Sequence, residues 1–552
     1  DALPIYGSWL DGNAQDGFRA CLESEFTDIY VLNLRGNQRT SGELSRKEGG
    51  KIFGGGSRTP ITITILVKNP AKNSKAATIH YHDIGDYLTR EQKLNFIKKF
   101  KSVHGRTLDW EVINPTEKHD WINQRDGIFD QLIPVAPEKK FKIDEQSFFS
   151  TLSLGIATNK DTFLYDFSKE SLCNKIESLI SFYNSERMKL ALNANYELQT
   201  DPTKIVWTDM FKNSAKKQEI FKLDYSRFVE SCYRPFTKQN FIFQKDLIQR
   251  TYQQLRLFPT GITSNKLICV SGIGVTKDFS CIITDQLPDL ELIGKSQCFP
   301  LYWYEERKDI QGSLFDTDES KDRYKRHDGI TDWILKEVRK RFGNSKAITK
   351  EHIFYYVYGI LHSPQYRERF AADLKKSLPR IPIVDNVEDF MAFYKAGKAL
   401  ADLHLNYEQV PPCPDVTPKV ADAVFEEDSA EKPFAYTKYS HFFVDKMTFP
   451  KVRNEKGKLV PDKSRIIYND HITIENIPAK AYEYIVNGKS AIEWIMERYA
   501  VSQDSKSLII NDPNEWSREH KNPTYIYDLL LSVINLSVQT VDIVNSLPKL
   551  KF

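Results

Sequence analysis

The stretch DIYVLNLRGNQRTSGELSRKEGGKIFGGGSRTPITITILV, residues 28–67, decides the fold of the first part of the chain. Residues 28–34 form a short apolar run that ends at a turn residue, Gly36, which is typical of a buried strand. Residues 61–68 alternate isoleucine with threonine and predict a strand with one covered face. The segment between the two strands holds seven glycines and no periodicity, so we predict a loop. With helical spacing before the first strand, this order predicts the tail of an α/β sheet.

The remainder of the chain mixes β-rich and helical segments. Residues 227–304 consist of short β-prone runs separated by Gly, Pro and Asp. Residues 305–330 are charged and predict a surface loop, and residues 409–435, rich in Pro, Asp and Glu, predict an extended loop. Ser363 and Pro364 have the order of an N-cap and a first helical residue. Helices are predicted over residues 172–190, 330–342, 350–376, 479–499 and 523–547.

Composition bounds the class of protein. The 552 residues suffice for two large domains or for three to four of ordinary size. Lys and Arg number 77 against 74 Asp and Glu, so a nucleic-acid-binding protein of this composition must concentrate its positive charge locally. Seven cysteines without a C-x-x-C pair argue against structural zinc and fit a reducing interior. No apolar run reaches 18 residues, so we predict no membrane contact. The first residues read as the middle of a domain, and we expect a piece of a longer polypeptide.

Catalytic motifs are missing from the sequence. It contains no G-x-G-x-x-G after a strand, no G-x-x-x-x-G-K-[ST] and no H-E-x-x-H. The glycines of GGGSRTP at 54–60 lead into a strand, which is the wrong context for a helix that cradles phosphate. His80 and His82 share a strand face but lack a third ligand, so we predict no metal site. By its residues alone, the chain is a catalytically incomplete, mixed α/β assembly.

Nine segments, in order along nearly the whole chain, resemble type ISP restriction–modification enzymes. They are LNLRGNQRTSGE at 32–43, KIFGGGSRTPITITILVKNP at 51–70, DWINQRD at 120–126, GIATNKDTFLYDFS at 155–168, YRPF at 233–236, SQCFPLYWYE at 296–305, IFYYVYGILHSPQYRERFAADLKKSLPRIP at 353–382, NGKSAIEWIMERYAV at 487–501 and NDPNEW at 511–516. Such enzymes are large single chains that combine nuclease, translocase, adenine methyltransferase and target-recognition domains.

The resemblance implies a mixed α+β fold with two parts. Residues 1–145 would be the tail of a Rossmann-like methyltransferase sheet, and residues 146–552 a large mixed α/β target-recognition domain with 409–435 as an extended loop. In this family the S-adenosylmethionine motifs and the Asn-Pro-Pro-aromatic motif lie upstream; Asn114-Pro115-Thr116 lacks the second proline and the aromatic. We therefore expect this chain to hold no cofactor and to be inactive alone, with ATP and Mg²⁺ serving motor and nuclease domains further upstream.

One catalytic element of the family falls within the chain. Adenine methyltransferases of this class flip the target base and hold it between aromatic faces. Phe53 matches the second stacking aromatic in kind and context, whereas the alternative is an ordinary core phenylalanine at a strand edge. Glycines 54–56 would let the backbone approach DNA, and Ser57 and Arg58 would then touch a phosphate. Arg39 in the same loop is another candidate for a backbone contact.

Sequence recognition requires contacts to base edges and to phosphates. The segment CYRPFTKQNFIFQKDLIQRTYQQLR at 232–256 mixes basic, amide and aromatic residues, and KDRYKRHDG at 321–329 is a second basic segment. Both would equally suit a solvated basic face. The predicted DNA-binding residues in these segments are Arg234, Lys238, Gln239, Asn240, Arg250, Arg256, Lys325 and Arg326.

The resemblance thus implies sequence-specific recognition of double-stranded DNA in a cytoplasmic bacterial defence enzyme. Recognition would position an adenine for S-adenosylmethionine-dependent methylation and license translocation and cleavage by upstream domains of the same, monomeric polypeptide. Two alternatives stay open: a fragment of a standalone adenine methyltransferase, and a non-catalytic protein-interaction scaffold. A salt-dependent preference for one DNA sequence separates recognition from a scaffold.

Overall fold

The computed structural model describes residues 2–40, 42–55, 57–72, 76–100, 102–103, 108–137, 146–261, 263–307, 323–420, 440–455 and 457–552. A five-stranded sheet with flanking helices forms the first part. Its elements are β1 (Ala2–Tyr6), α1 (Asp16–Glu25), β2 (Asp28–Asn33), α2 (Gly42–Glu48), β3 (Ile61–Val67), β4 (Thr78–Asp83), α3 (Arg90–Lys99) and β5 (Glu111–Ile113).

The strand order of this sheet is β1–β3–β2–β4–β5. Strand β3 is antiparallel to both β1 and β2, and β4 is parallel to β2, so β1, β2 and β4 run in one direction. Ile29 and Val31 pack into an apolar cluster on one face, and Leu32 and Leu34 into a second cluster at the other. The mixed sheet, covered on both faces, is compatible with the predicted Rossmann-like tail.

Two details of this part differ from the sequence predictions. Strand β1 was missed, and the predicted loop between β2 and β3 contains the helix α2. This helix has one apolar residue, Leu44, and its last turn is basic. A helix without an apolar stripe has no periodicity to detect. Thr89 caps α3 as predicted, accepting a hydrogen bond from the Gln92 amide.

The second part is larger and contains several small sheets among helices. Its strands are β6 (Ile133–Pro134), β7 (Ser153–Leu154), β8 (Tyr165–Asp166), β9 (Phe228–Arg234), β10 (Thr237–Ile242), β11 (Leu267–Val270), β12 (Cys281–Thr284), β13 (Leu287–Pro288), β14 (Gln297–Pro300), β15 (Tyr302–Glu306), β16 (Tyr324–Asp328), β17 (Arg380–Ile381), β18 (Thr417–Val420), β19 (Lys451–Arg453), β20 (Leu459–Pro461), β21 (Ile466–Ile467), β22 (Ile472–Glu475), β23 (Ile485–Val486), β24 (Lys489–Ser490), β25 (Ser502–Gln503) and β26 (Ile510–Asn511). Its helices are α4 (Asp161–Leu164), α5 (Lys169–Leu192), α6 (Asp209–Lys216), α7 (Gln254–Leu257), α8 (Asp332–Arg341), α9 (Lys350–His362), α10 (Pro364–Arg369), α11 (Ala371–Lys376), α12 (Val387–Leu405), α13 (Ala491–Arg498), α14 (Asn514–Glu519) and α15 (Tyr525–Asn545).

Two four-stranded sheets, β13–β9–β10–β8 and β12–β11–β14–β7, organise the two large cores of this part. Helix α9 is buried from Ile353 to His362 and packs on α12. The two helices touch where Gly359 meets Gly397, because a Cβ on either glycine would overlap a backbone carbonyl of the other helix. The mixed α/β architecture agrees with the predicted fold class.

Three further predictions for this part need correction or qualification. The predicted surface loop 305–330 contains β16, which pairs with β15, whereas residues 308–322 lie outside the described residues. Residues 479–499 are helical only in α13 and in a single turn at Ala479–Tyr482. Between these, β23 and β24 form a hairpin around Asn487-Gly488, and both turn residues have positive φ. The Asn-Gly pair in the sequence could have predicted this hairpin. In the predicted extended loop 409–435, β18 pairs with β22, and residues 421–439 lie outside the described residues.

Helix α15 is long and apolar enough to cross a membrane by length and composition alone. Most of its apolar stretch is buried inside the fold, where it packs on α12 and α13. This burial is what a core helix of a folded domain requires.

A buried carboxylate joins the two parts. Asp120 is fully buried and pairs with Arg125 at 2.7 Å, with Lys376 of α11 at 2.9 Å and with Arg19 of α1 at 3.7 Å. The Arg19 guanidinium also donates to the carbonyls of Trp9 and Gly12. Burial alone would raise the pKa of Asp120, but hydrogen bonds from Arg125 and Lys376 hold it below the usual value.

Replacing this carboxylate should destabilise the protein strongly. We expect Asp120→Asn to lower the free energy of unfolding by about 3–5 kcal/mol, because the surrounding cations lose their buried counter-charge. Since the folded pKa is lowered, the stabilisation from Asp120 should be complete above about pH 4 and be lost as pH falls through the lowered pKa. Thermal melting of the wild type and the variant between pH 3 and 7 measures both effects. Asp130→Asn, which removes a half-exposed partner of Lys118, is the control and should change stability little; equal melting temperatures for Asp120→Asn and the control would contradict the assignment.

Candidate nucleic-acid interface

A cleft of about 620 Å³ lies where β1, β2 and β4 end, and residues of the second part close its far side. Ligands of open α/β sheets bind outside the carboxyl ends of the strands, which makes this cleft the first candidate site. Its walls include Ser8 after β1, Asn33 at the end of β2, Arg39 in the following loop, and Thr276 and Lys375 from the second part.

The floor of the cleft is a paired polar network. The Arg35 guanidinium donates to Asp83 at 2.6 Å and also pairs with Asp86. Asn33 donates to the Tyr81 hydroxyl at 2.9 Å, and that hydroxyl donates to Asp83 at 3.2 Å. Burial raises the pKa of the Tyr81 phenol, so it stays protonated. Because these groups satisfy one another, the floor is rigid.

The loop between β2 and β3 is held from below by hydrogen bonds. The buried Lys93 ammonium donates to the Glu48 carbonyl at 2.6 Å, and burial lowers the pKa of Lys93 to about 8. The Arg90 guanidinium donates to the Ile52 carbonyl at 3.0 Å, and the Gln38 amide to the Arg58 carbonyl at 2.9 Å. Three side chains of the anchored loop, Arg39, Phe53 and Arg58, are exposed to solvent.

Three of the four residues predicted in this loop, Arg39, Ser57 and Arg58, line one recess. Phe53 is 51% exposed, so it is not a core residue, although its base-stacking role stays a prediction. Arg39, Ser57 and Arg58 line an open recess of about 720 Å³ that shares Arg39 with the cleft. Arg39 and Arg58 are exposed.

Most of the predicted residues on β9 and β10 face the protein interior. Arg234 pairs with Asp289 at 2.6 Å and with Asp161 at 3.4 Å, and its side chain is 14% exposed. Burial acts to lower the pKa of Arg234, but Asp289 raises it overall. Lys238 pairs with Glu408 at 2.8 Å.

The two amides of this strand pair are similarly occupied. Gln239 is buried and donates to Asn511 at 3.3 Å, and Asn240 donates to the Phe167 carbonyl at 2.9 Å. Both DNA contacts stay predictions, as does that of Arg234, but burial and internal pairing weigh against all three.

The other predicted residues are more accessible. Arg250 is exposed, and its backbone pairs with that of Ala157. Arg256 stacks on Trp303 of β15 at 4.6 Å, and Arg326 of β16 on Tyr302 at 4.3 Å. The exposed Lys325 and Arg326 therefore lie on one two-stranded ribbon, β15–β16, and Arg256 of helix α7 packs against that ribbon.

Sequence reasoning missed the loop at residues 271–280, which reaches the cleft from the second part. The Thr276 hydroxyl donates to the Arg39 carbonyl at 3.4 Å, and the Gly274 amide to the Lys375 carbonyl at 3.0 Å. It also missed Lys160, whose buried ammonium lies 4.0 Å from the Phe211 ring and whose pKa burial lowers to about 7. Spacing carries no signal for contacts between residues this far apart in sequence.

The described residues offer no cluster of three or more His, Cys, Asp or Glu side chains placed to hold a metal. His80 stacks on Tyr30 and His82 on Phe96. The described part of the glycine-rich segment leads into strand β3, and the Arg35–Asp83 pair lines the floor of the cleft.

The comparisons with known proteins that found a match agree on one family. A family model described as the Type ISP C-terminal specificity domain matches residues 147–529. No curated protein matches the chain.

Three solved structures are similar over almost the whole chain. A nuclease-deletion mutant of the Type ISP restriction-modification enzyme LlaGI, in complex with a DNA substrate mimic, is 38% identical with a TM-score of 0.81, covering 99% of this chain and 46% of that one. The ATP-dependent Type ISP enzyme LlaBIII bound to DNA is 37% identical with a TM-score of 0.81, covering 100% and 33%. The DrdV–DNA complex is 28% identical with a TM-score of 0.79, covering 100% and 50%. The chain therefore spans half or less of the length of these proteins.

Substitution of Arg234 and Arg250 separates structural from DNA-contacting arginines. We expect Arg234→Ala to lower the free energy of unfolding by about 3–5 kcal/mol, because the buried Asp289 carboxylate loses its partner. For Arg250→Ala, which replaces an exposed side chain, we expect a free energy of unfolding within about 0.5 kcal/mol of wild type. If Arg250 contacts DNA, the Arg250→Ala variant should bind duplex DNA more weakly than wild type. Thermal melting and DNA-binding titrations of both variants check this. An unchanged melting temperature for Arg234→Ala would contradict the internal role.

Proposed function

Because the chain belongs to the Type ISP restriction–modification enzymes, we propose that it recognises a specific sequence in double-stranded DNA. The observation that carries this proposal is the match of residues 147–529 to the specificity domain of the family. The DNA complexes of LlaGI, LlaBIII and DrdV support it, since each is similar to this chain over nearly its full length.

The cleft lies between the two parts of the chain, and we propose that the DNA-recognition part contacts the methyltransferase part there. Arg39 lies on the first side of the cleft, Arg58 lines the adjoining recess that shares Arg39, and residues 274–276 of the loop 271–280 lie on its second side. The exposed Phe53 belongs to the same loop as Arg39 and Arg58. Arginines on an anchored loop suit phosphate contacts that fix the register, whereas base edges are read by other side chains in the groove. The recognised sequence would thus be linked to one adenine placed near Phe53.

Catalysis is assigned to a polypeptide longer than this chain. S-adenosylmethionine would supply the methyl group, held by residues upstream of Asp1, and ATP and Mg²⁺ would serve a motor and a nuclease there. We propose that DNA recognition by this chain positions the adenine and licenses those upstream activities. Its partners would be duplex DNA and the upstream domains of the same, monomeric polypeptide.

The loop arginines should contribute to DNA affinity through phosphates. We expect the double variant Arg39→Ala/Arg58→Ala to bind duplex DNA more weakly. The negative slope of log K against log salt should become less steep, by about 0.9 for each phosphate that the variant no longer neutralises. The measurement is fluorescence anisotropy between 50 and 300 mM salt, on a duplex selected from a random library. Lys216→Ala/Lys217→Ala, which removes the same charge from exposed lysines of α6 and its C-cap, is the control and should match wild type.

The selection also tests the proposed function itself. Enrichment of one asymmetric sequence with a steep salt dependence supports recognition. Weak binding without sequence preference would contradict it and favour the protein-interaction scaffold. Methylation without ATP-dependent cleavage by the natural polypeptide would favour a standalone methyltransferase.

Phe53 should affect methylation rather than binding. In the natural polypeptide that carries this chain together with a cofactor site, we expect Phe53→Ala to reduce the methylation rate roughly 10- to 100-fold, because base–aromatic stacking contributes about 1–3 kcal/mol. Phe53→Trp preserves an aromatic face and is the matched control. Transfer of labelled methyl groups under single-turnover conditions measures the rate; wild-type activity in Phe53→Ala would exclude the stacking role.

A further inference from the structure

Three cations lie around one tryptophan in the second part of the chain. The Lys277 and Lys489 ammonium groups lie 5.7 and 4.8 Å from the centre of the Trp494 ring, and the Arg498 guanidinium carbon lies 5.9 Å from it. Trp494 is 4% exposed, and its indole N–H donates to the Val486 carbonyl at 2.7 Å. The ring therefore acts as a fixed apolar wall against which the cations are placed.

The cations outnumber the carboxylates that neutralise them. Glu497 pairs with both Lys489 and Arg498. Among the described residues, no carboxylate lies within ion-pair distance of Lys277, and the buried Nε of Arg498 has no hydrogen-bond partner. The cluster thus has net positive charge and unused donors.

The positive charge at Lys277 is also electrostatically unfavourable in the free protein. Burial lowers the pKa of Lys277, and the neighbouring positive charge of Lys489 lowers it further, whereas Glu497 and Glu291 only partly oppose this. Like charges held close together are unfavourable unless an anion lies between them. The arrangement is therefore that of a site prepared for an external anion.

The fold, rather than chance surface contact, holds the lysines together. Loop 271–280 is closed by a hydrogen bond from the Ser271 amide to the Ser280 carbonyl at 3.0 Å. The Asn487 amide donates to the Ser280 hydroxyl at 2.8 Å, which ties this loop to the turn that precedes Lys489. Both lysines are thus positioned by buried hydrogen bonds.

The same loop connects the cluster to the cleft. Thr276, next to Lys277, donates to the backbone of Arg39, which lines the cleft. Arg498 lines a separate recess of about 310 Å³ together with Gln239 and Asn511. The cluster therefore lies between the arginine-bearing loop and an amide-lined recess.

We propose that Lys277, Lys489 and Arg498 form a binding site for a backbone phosphate of duplex DNA. Phosphate matches the site because it is a compact anion with several acceptor oxygens, and three cations lie within 6 Å of the centre of one ring. Trp494 is too buried to stack on a base, so the contact sets register and does not read sequence. This inference rests on the proposed function and adds to it a contact in the second part of the chain.

The test compares the salt dependence of DNA binding. We expect the negative slope of log K against log salt to become less steep by about 0.9 in Lys277→Ala, and by up to about twice that in Lys277→Ala/Lys489→Ala. Lys277→Arg should restore the slope, because it keeps the charge. Lys216→Ala/Lys217→Ala is again the control for equal charge removal, and thermal melting verifies that each variant is folded.

Ethylation interference locates the contact on the DNA. On the selected duplex, Lys277→Ala should lose the interference seen with wild type at one or two adjacent phosphates and keep the rest. An unchanged slope with an unchanged interference pattern would overturn the phosphate site alone. If the wild-type protein fails to bind duplex DNA, the proposed function and this inference are overturned together. If inorganic phosphate displaces DNA from wild type but not from Lys277→Ala, the result supports the site.

Discussion

The buried Asp120 carboxylate fixes the relation between the two parts of the molecule. It accepts from Arg125 and lies beside Arg19 of α1 in the first part, and it pairs with Lys376 of α11 in the second. A carboxylate removed from water requires such compensation, so neither part can move without separating charges at low dielectric. Lys376, one of the partners of this carboxylate, lines the cleft.

Charge in this protein is divided between internal and external use. Arg234 and Lys238, in the segment with the densest basic and amide composition, pair with Asp289 and Glu408 inside the second part. Arg39 and Arg58, which remain exposed, come instead from the glycine-rich loop between β2 and β3, and Arg39 also lines the cleft. A nearly neutral chain can present a positive surface in this way, because its acidic residues neutralise interior cations and leave selected ones unpaired.

The proposed interface combines anchored loops from both parts. Loop 35–60 is held by Lys93 and Arg90, and loop 271–280 by the Ser271–Ser280 and Ser280–Asn487 hydrogen bonds. Loops that are positioned by a rigid scaffold are where binding residues are usually found. A contact at Lys277 would set the position of the duplex relative to Phe53, since Thr276 joins the two loops through the backbone of Arg39.

The sequence by itself determined the family, the mixed α/β class and the elements with strong local signals. Strands β2 and β3, the Thr89 cap and the helix starting at Pro364 follow from alternation and capping chemistry, which act over a few residues. The loop with Phe53 and Arg58 was also recognised, because its glycines interrupt every periodicity. Only the tertiary structure decided which cations face solvent. Arg234 and Arg250 lie in the same basic segment and were both predicted to contact DNA, but Arg234 pairs with Asp289 inside the protein, whereas Arg250 is exposed. It alone brought Lys277, Lys489 and Arg498 to one ring, because their contact depends on how distant segments pack, and spacing along the chain carries no record of that packing.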